Sequence, residues 1–430
     1  MRKNTVLLAV LLLPLLAIGQ EEKNFGIKFS GFVKTDIFYD SRQTETFREG
    51  HYLLYPKGES LDVDGKDINA TPNFNMLSVQ TRLIGNITGP DVLKAKTSGY
   101  IEGEFFGTSD NDVNGFRLRH AYAKLKWEKS ELMVGQFWHA MFITSCFPDV
   151  VSFNTGAPFQ PFTRNPQIRY IRSLGPVNVI ATLHSQRDFL DSGPDPAAPA
   201  KTISSSMFLR NAVVPDANLK LEYNIKDEAA KKDFLVGVGG NYKMLKPRLV
   251  SDSLYSTDET VSGMSEMFYC KLQFPQVTFK VEGVYGQMLQ SMTMIGGYAV
   301  KSITDTAKAF VDYSPLNTLS VWTEVMTNCK NLQYGIFGGY SQNLGASDEI
   351  TGPFYARGAN IEYLFRIAPR VVYNTGKMRF ACEFEYTDAA YMTYRVENGT
   401  KVANMDKKGK VTDSKDIANL RVLLGVYYFF

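Results

Sequence analysis

Beyond residue 20 the chain has no run of 18 apolar residues, which excludes a membrane-spanning helix. Cysteine is scarce. Cys146, Cys270, Cys329 and Cys382 lie far apart with no C-x-x-C spacing, so the chain is not a disulfide scaffold. Histidine is equally scarce, at His51, His120, His139 and His184. There is no H-x-x-x-H and no G-x-S-x-G, and so no sign of a positioned nucleophile and base. No enzyme, no metal and no cofactor is expected. A surplus of one charge is missing too: Lys and Arg number 47 against 44 for Asp and Glu, which argues against a nucleic-acid binder. Nor does any linker divide the 430 residues.

Aromatics are abundant at 13%, with 29 Phe and 23 Tyr but only 3 Trp. They fall into long alternating stretches. In "FGIKFSGFVKTDIFY", Phe25, Ile27, Phe29, Val33, Ile37 and Tyr39 share one face and Lys28, Ser30, Lys34 and Asp36 the other. The same period of two runs through "FNMLSVQTRLIGNI", where Arg82 opposes Leu83, through "SGYIEGEFF", where Glu102 and Glu104 oppose Ile101 and Phe105, and through "QVTFKVEGVY" and "MRFACEFEYT". Period two means strands. Strands of soluble sandwiches average about 5–6 residues, whereas a strand crossing a bilayer needs about 9–11. Parity places Cys270 and Cys382 on outward faces as apolar fillers.

The ends and the punctuation agree. "MRKNTVLLAVLLLPLLAIGQ" has a basic start, an apolar centre and small residues before Gln20, the pattern of a secretory signal peptide over 1–19. "NLRVLLGVYYFF" puts Leu420, Val422, Leu424, Val426, Tyr428 and Phe430 on one apolar face and Arg421 on the mixed face, toward water. Short turns are expected at 88–91, 128–130, 174–176, 274–276, 314–317 and 374–377. Long polar loops are expected at 40–72, 107–114, 139–165, 187–216, 244–261, 290–307, 329–356 and 395–416, with "MIGGYAV" and "LQYGIFGGYSQN" within 291–345 open as strands or loop ends. Turns on one side and loops on the other predict an all-β fold: a transmembrane antiparallel β-barrel over 20–430 in the outer membrane, with about 16 strands, short periplasmic turns and long extracellular loops. Tyr428 and Phe430 belong at the periplasmic aromatic girdle. The terminal strand resembles the signal that the barrel-assembly machinery reads.

At this strand number an aqueous channel opens, so a pore is the default, and the chain is too short for a barrel of about 22 strands with a plug. "DNDVNG" resembles half of a calcium loop, but its twelfth position is Ala121 where a Glu is required. It reads as a polar loop. Candidate pore-lining residues concentrate near 116–187. His120 and Lys124 face inward. Arg117 and Arg119 join them if a bulge between Leu118 and Ala121 resets the register. Arg164, Arg169, Arg82, Glu102 and Glu104 complete the set, giving a field of both signs across the lumen. Segment 139–165, with Phe142, Phe147, Phe153, Phe159 and Phe162, is too apolar for an outside loop and is expected to fold inward as a constriction.

"RLRHAYAKL", "LMVGQFW" and "RNPQIRY", in this order, resemble the DcaP-like porins. The resemblance implies a homotrimeric 16-stranded barrel in contact with lipid and lipopolysaccharide, passing small anionic solutes such as dicarboxylates. A structural or adhesive surface barrel without a channel, presenting loops 40–72 and 187–216, is the alternative.

Overall fold

The computed structural model describes residues 25–430; the signal-peptide reading of 1–19 lies outside them. The chain forms a closed antiparallel barrel of 16 strands. In chain order they are β1 (Gly26–Asp40), β2 (Asn73–Leu77 continued by Arg82–Thr88), β3 (Lys96–Glu104), β4 (Arg117–Lys126), β5 (Ser130–Trp138), β6 (Arg164–Leu174), β7 (Val177–His184) and β8 (Asp216–Asp227). Then follow β9 (Lys232–Leu245), β10 (Val261–Gln273), β11 (Val277–Gln287), β12 (Phe310–Thr327), β13 (Leu332–Ala346), β14 (Ile361–Thr375), β15 (Met378–Met392) and β16 (Ser414–Phe429). Each strand pairs with the next, and β1 closes on β16 from Phe32↔Phe429 to Asp40↔Arg421. Closure leaves no unpaired edge, the condition for crossing lipid with strands.

Alternation sorts the side chains. Phe29, Val33, Leu83, Ile101, Leu219, Phe268, Phe384 and Leu424 are exposed on the outside, while Lys34, Asp36, Glu104, Glu324, Glu383 and Arg421 are buried inside. A barrel whose outer face is apolar and whose interior is charged is the inverse of a soluble sandwich. Cys270 and Cys382 follow their outward strand phases and are free thiols.

Two expectations fail at β12 and β13. "SPLN" (314–317) is not a turn but part of β12. Pro315 pairs with Tyr298 on one side, while the β13 ladder begins only at Leu316, so the missing N–H costs no bond. Segment 329–356 is not one loop, because β13 runs through it. Its glycines hide the alternation, and the structure supplies their reason. A Cβ at Gly339 would sit 2.4 Å from the Phe159 ring, and one at Gly335 2.5 Å from the Arg370 guanidinium. Both glycines face inward and make room for lumen-filling groups.

Arg421 also departs from expectation. It does not face water: it is 1% exposed and grips Asp40 of β1 through Nε–Oδ1 at 2.9 Å and Nη2–Oδ2 at 2.6 Å, over the Phe38 ring. Barrel closure brings the two together, and strand parity alone does not reveal it.

Candidate functional site

The loop between β5 and β6, residues 139–163, crosses the lumen. Phe142, Phe153, Phe159 and Phe162 are buried in one cluster with Tyr52 and Leu54 of loop 41–72, Phe106, Phe189, Met292 and Ile295. Polar groups of the far wall hold its backbone. The Glu383 carboxylate accepts the N–H of Val151 (2.7 Å) and of Ser152 (3.0 Å), and Glu324 accepts that of Asp149 (2.8 Å). Arg366 donates to the carbonyl of Ala157 at 2.9 Å, and Lys34 to that of Val151 at 2.8 Å. Tethered at both ends and pinned at the tip, the loop is a septum.

The near wall carries the arginines. The β3–β4 register shifts between Glu102↔His120 and Gly103↔Leu118, leaving Arg119 as the extra residue. This bulge turns both Arg117 and Arg119 to the lumen. Arg119 bonds Glu102 (Nε–Oε1, 2.5 Å) and Glu104 (Nη1–Oε1, 2.6 Å). Arg117 reaches Glu104 at 2.8 Å, and Arg82 reaches it at 3.1 Å. Arg164 lies 3.6 Å from Glu104. Glu102 and Glu104 therefore do not set up a field across the lumen. They stand on the strand next to Arg119 and neutralise the arginines on the same wall. His120 sits beside them against Phe137 and Trp138. Two of the sequence candidates stand apart: Lys124 pairs with Glu131 at 3.0 Å, and Arg169 donates to the carbonyl of Trp138 at 2.8 Å.

Sequence reasoning missed three members. Asp188, in loop 185–215, bridges Arg117 (3.1 Å) and Arg164 (2.8 Å). Burial disfavours its charge, yet the guanidiniums of Arg164 and Arg117 prevail and hold its carboxyl below the ordinary value. Arg370 and Arg379 come from the opposite wall. They line, with Arg82, Glu102, Arg119, His120 and Asp149, a cavity of about 390 Å³ on the turn side of the septum. Four guanidiniums and two carboxylates reach its surface. Arg379, stacked over Tyr427 and Phe429, has no carboxylate partner among the described residues. Only the inward parity of β14 and β15 hints at these two, and the barrel must close to bring them opposite Arg82.

His139, His184 and Asp216 gather at the base of the septum, with ligand-type atoms within 4.8 Å of one another. The two rings are stacked at 4.0 Å and 18°, so their in-plane lone pairs cannot converge on one ion. His184 Nε2 accepts the Ala140 N–H, and His139 Nδ1 accepts that of Met141. The trio ties the septum to β7 and β8.

With this geometry the chain resembles the outer membrane channel DcaP of Acinetobacter baumannii, with a TM-score of 0.65 and 17% identity over 95% of this chain and 99% of that one. The fold is that of an outer-membrane channel. The Vibrio cholerae outer membrane protein OmpT shares it at a TM-score of 0.54 and 11% identity, over 96% of this chain and 99% of that one. A trimer form of OmpT matches at 0.53 and 11%, over 95% and 100%. No protein-family model and no curated protein sequence matches the chain. The channel fold is thus recognisable at identities where sequence alone carries little.

Proposed function

We infer that this protein is an exported, homotrimeric porin of a Gram-negative-type outer membrane, delivered by a signal peptide over 1–19. It passes small hydrophilic and preferentially anionic, dicarboxylate-like solutes by diffusion. The carrying observation is the cavity beneath the septum, lined by Arg82, Arg119, Arg370 and Arg379: Glu102 and Glu104 pair with the first two and Glu324 with Arg370, and Arg379 is left without a carboxylate among the described residues. Arg48 and Arg117 stack on Phe106, and Arg164 lies between Trp138 and Phe162. They continue the row of guanidiniums from the cavity toward the long loops. An anion passing this row exchanges one guanidinium for the next while the aromatic groups of the septum bound its path. The terminal strand, ending in Phe430, serves recognition by the assembly machinery, and the outer face meets lipid, lipopolysaccharide and partner protomers.

Reversal potential in a salt gradient tests the reading. Arg82→Gln with Arg379→Gln shifts it toward cations. Lys201→Gln, on the exposed loop hairpin, does not, because at 0.15 M salt a charge beyond about 8 Å is screened. The shift fades near 1 M, where screening tightens to about 3 Å. An unchanged potential at low salt refutes anion preference.

A second reading is a surface barrel without a channel. It draws on the packing of Tyr52, Phe106 and Phe189 over the septum, with Phe106 and Phe153 stacked at 3.9 Å. Absence of conductance in a planar bilayer decides for it.

A further inference from the structure

The carboxylates on the arginine wall are not alike. Glu102 and Glu104 belong to β3 and are fixed by the barrel. Asp188 belongs to a loop. Its neighbours are docked rather than woven in: the Arg187 N–H donates to Asn165 Oδ1 at 3.0 Å, and Phe189 packs on Phe47, Tyr52 and Phe162. The Asp188 side chain is 10% exposed, against 1% for Arg164.

The subsite it occupies has donors to spare. Arg117 Nε and both Arg164 Nη atoms are buried without a hydrogen-bond partner. Arg164 Nη2 is 2.8 Å from Asp188 Oδ2 but off the bonding direction. One short carboxylate on a loop cannot satisfy two guanidinium forks, which together match paired carboxylate oxygens. Charge counts the same way. Arg82, Arg117, Arg119 and Arg164 face Glu102, Glu104 and Asp188; with Asp188 withdrawn, four positive charges face two negative. The excess of two is what a dicarboxylate neutralises.

We propose that Asp188 is a tethered stand-in for solute: it holds the anion subsite of Arg117 and Arg164, and a dicarboxylate enters by displacing it. This rests on the anion-porin reading and goes further, making a loop carboxylate the competitor that sets affinity and keeps binding weak enough for release. The tether supplies its carboxylate at the high effective concentration of an intramolecular ligand.

The test is calorimetric titration of the purified, detergent-solubilised full barrel with succinate. Asp188→Asn binds about tenfold tighter than the unmodified protein, as when a competitor holding the site about nine-tenths of the time is removed. Asp188→Glu keeps the tethered charge and stays near the unmodified affinity. In the unmodified protein, saturating succinate lowers hydrogen-exchange protection at the amides of Arg187 and Phe189, a reading that needs no variant to fold. Equal or weaker succinate binding by a heat-modifiable Asp188→Asn barrel overturns the proposal, and so does unchanged protection at those amides. The two readings fail separately. An anion-selective channel whose succinate affinity ignores Asp188 refutes only the stand-in. A barrel without anion selectivity whose Asp188→Asn form binds succinate tighter refutes only the anion preference of the porin reading.

Discussion

The two walls of the lumen are built from the same residue types and put to opposite uses. On the far wall, β14 to β16 and β1, most arginines and carboxylates are consumed in holding the structure, Arg379 at the cavity being an exception. Arg421 is spent on Asp40, Glu383 on the amides of the septum, and Arg366 on loop carbonyls and Glu385. On the near wall, β2 to β4 and β6, guanidiniums outnumber carboxylates and keep unpartnered N–H groups. Composition does not distinguish the walls. What does is what the charges hold: on the far wall the septum and the seam, on the near wall one another and a loop carboxylate, with orphaned polar atoms on both, Asp36 Oδ1, Arg370 Nη1 and Glu385 Oε2 among those of the far wall. A satisfied network rigidifies the wall that carries it.

The largest effect belongs to the far wall. Arg421→Ala strands the buried Asp40 charge and lowers stability by about 3–5 kcal/mol, seen as an earlier unfolding midpoint in urea. Strand parity alone, which turns Arg421 toward water, gives no reason to expect so large an effect. A midpoint unchanged by Arg421→Ala erases the distinction between the walls. Next is Glu383→Ala, which leaves the Val151 and Ser152 amides without their acceptor at about 1–3 kcal/mol each. The septum tip loosens, and single-channel conductance rises with little change in ion preference. At Arg379, a far-wall arginine that lines the cavity, the order of readouts reverses. Arg379→Gln moves selectivity measurably and stability by less than about 1 kcal/mol, since no carboxylate is stranded. The smallest effect is Lys124→Gln. Its partly exposed pair with Glu131 lies off the cavity, so stability changes by about 0–1 kcal/mol and reversal potential not at all.

Much of this was legible in the chain. Alternation exposed the strands, loop lengths the two ends of the barrel, and the aromatic run 139–165 a loop that turns inward. The parity of "FRLRHAYAKL" suggests a bulge before Ala121, and the register shifts there. The failures share one cause. Asp188, Arg370, Arg379 and the Asp40–Arg421 pair acquire their surroundings only when distant strands meet, and period two reports a face, not what stands opposite. The β13 glycines leave strand and loop end both open for a related reason: residues that make room carry no hydrophobic signal, and what fills the room lies far away in sequence.

The Asp40–Arg421 clamp spans a sequence separation of 381 residues. It is therefore among the last contacts available to a folding chain, because loop-closure entropy must be met before so distant a pair gains anything. Until β1 and β16 meet, Asp40 stays hydrated in an open sheet. Once they meet, releasing either partner means returning a buried charge to water through the seam. The pair thus acts as a latch on the rate of reopening rather than as an aid to assembly, and the seam is where the lifetime of the finished barrel is decided.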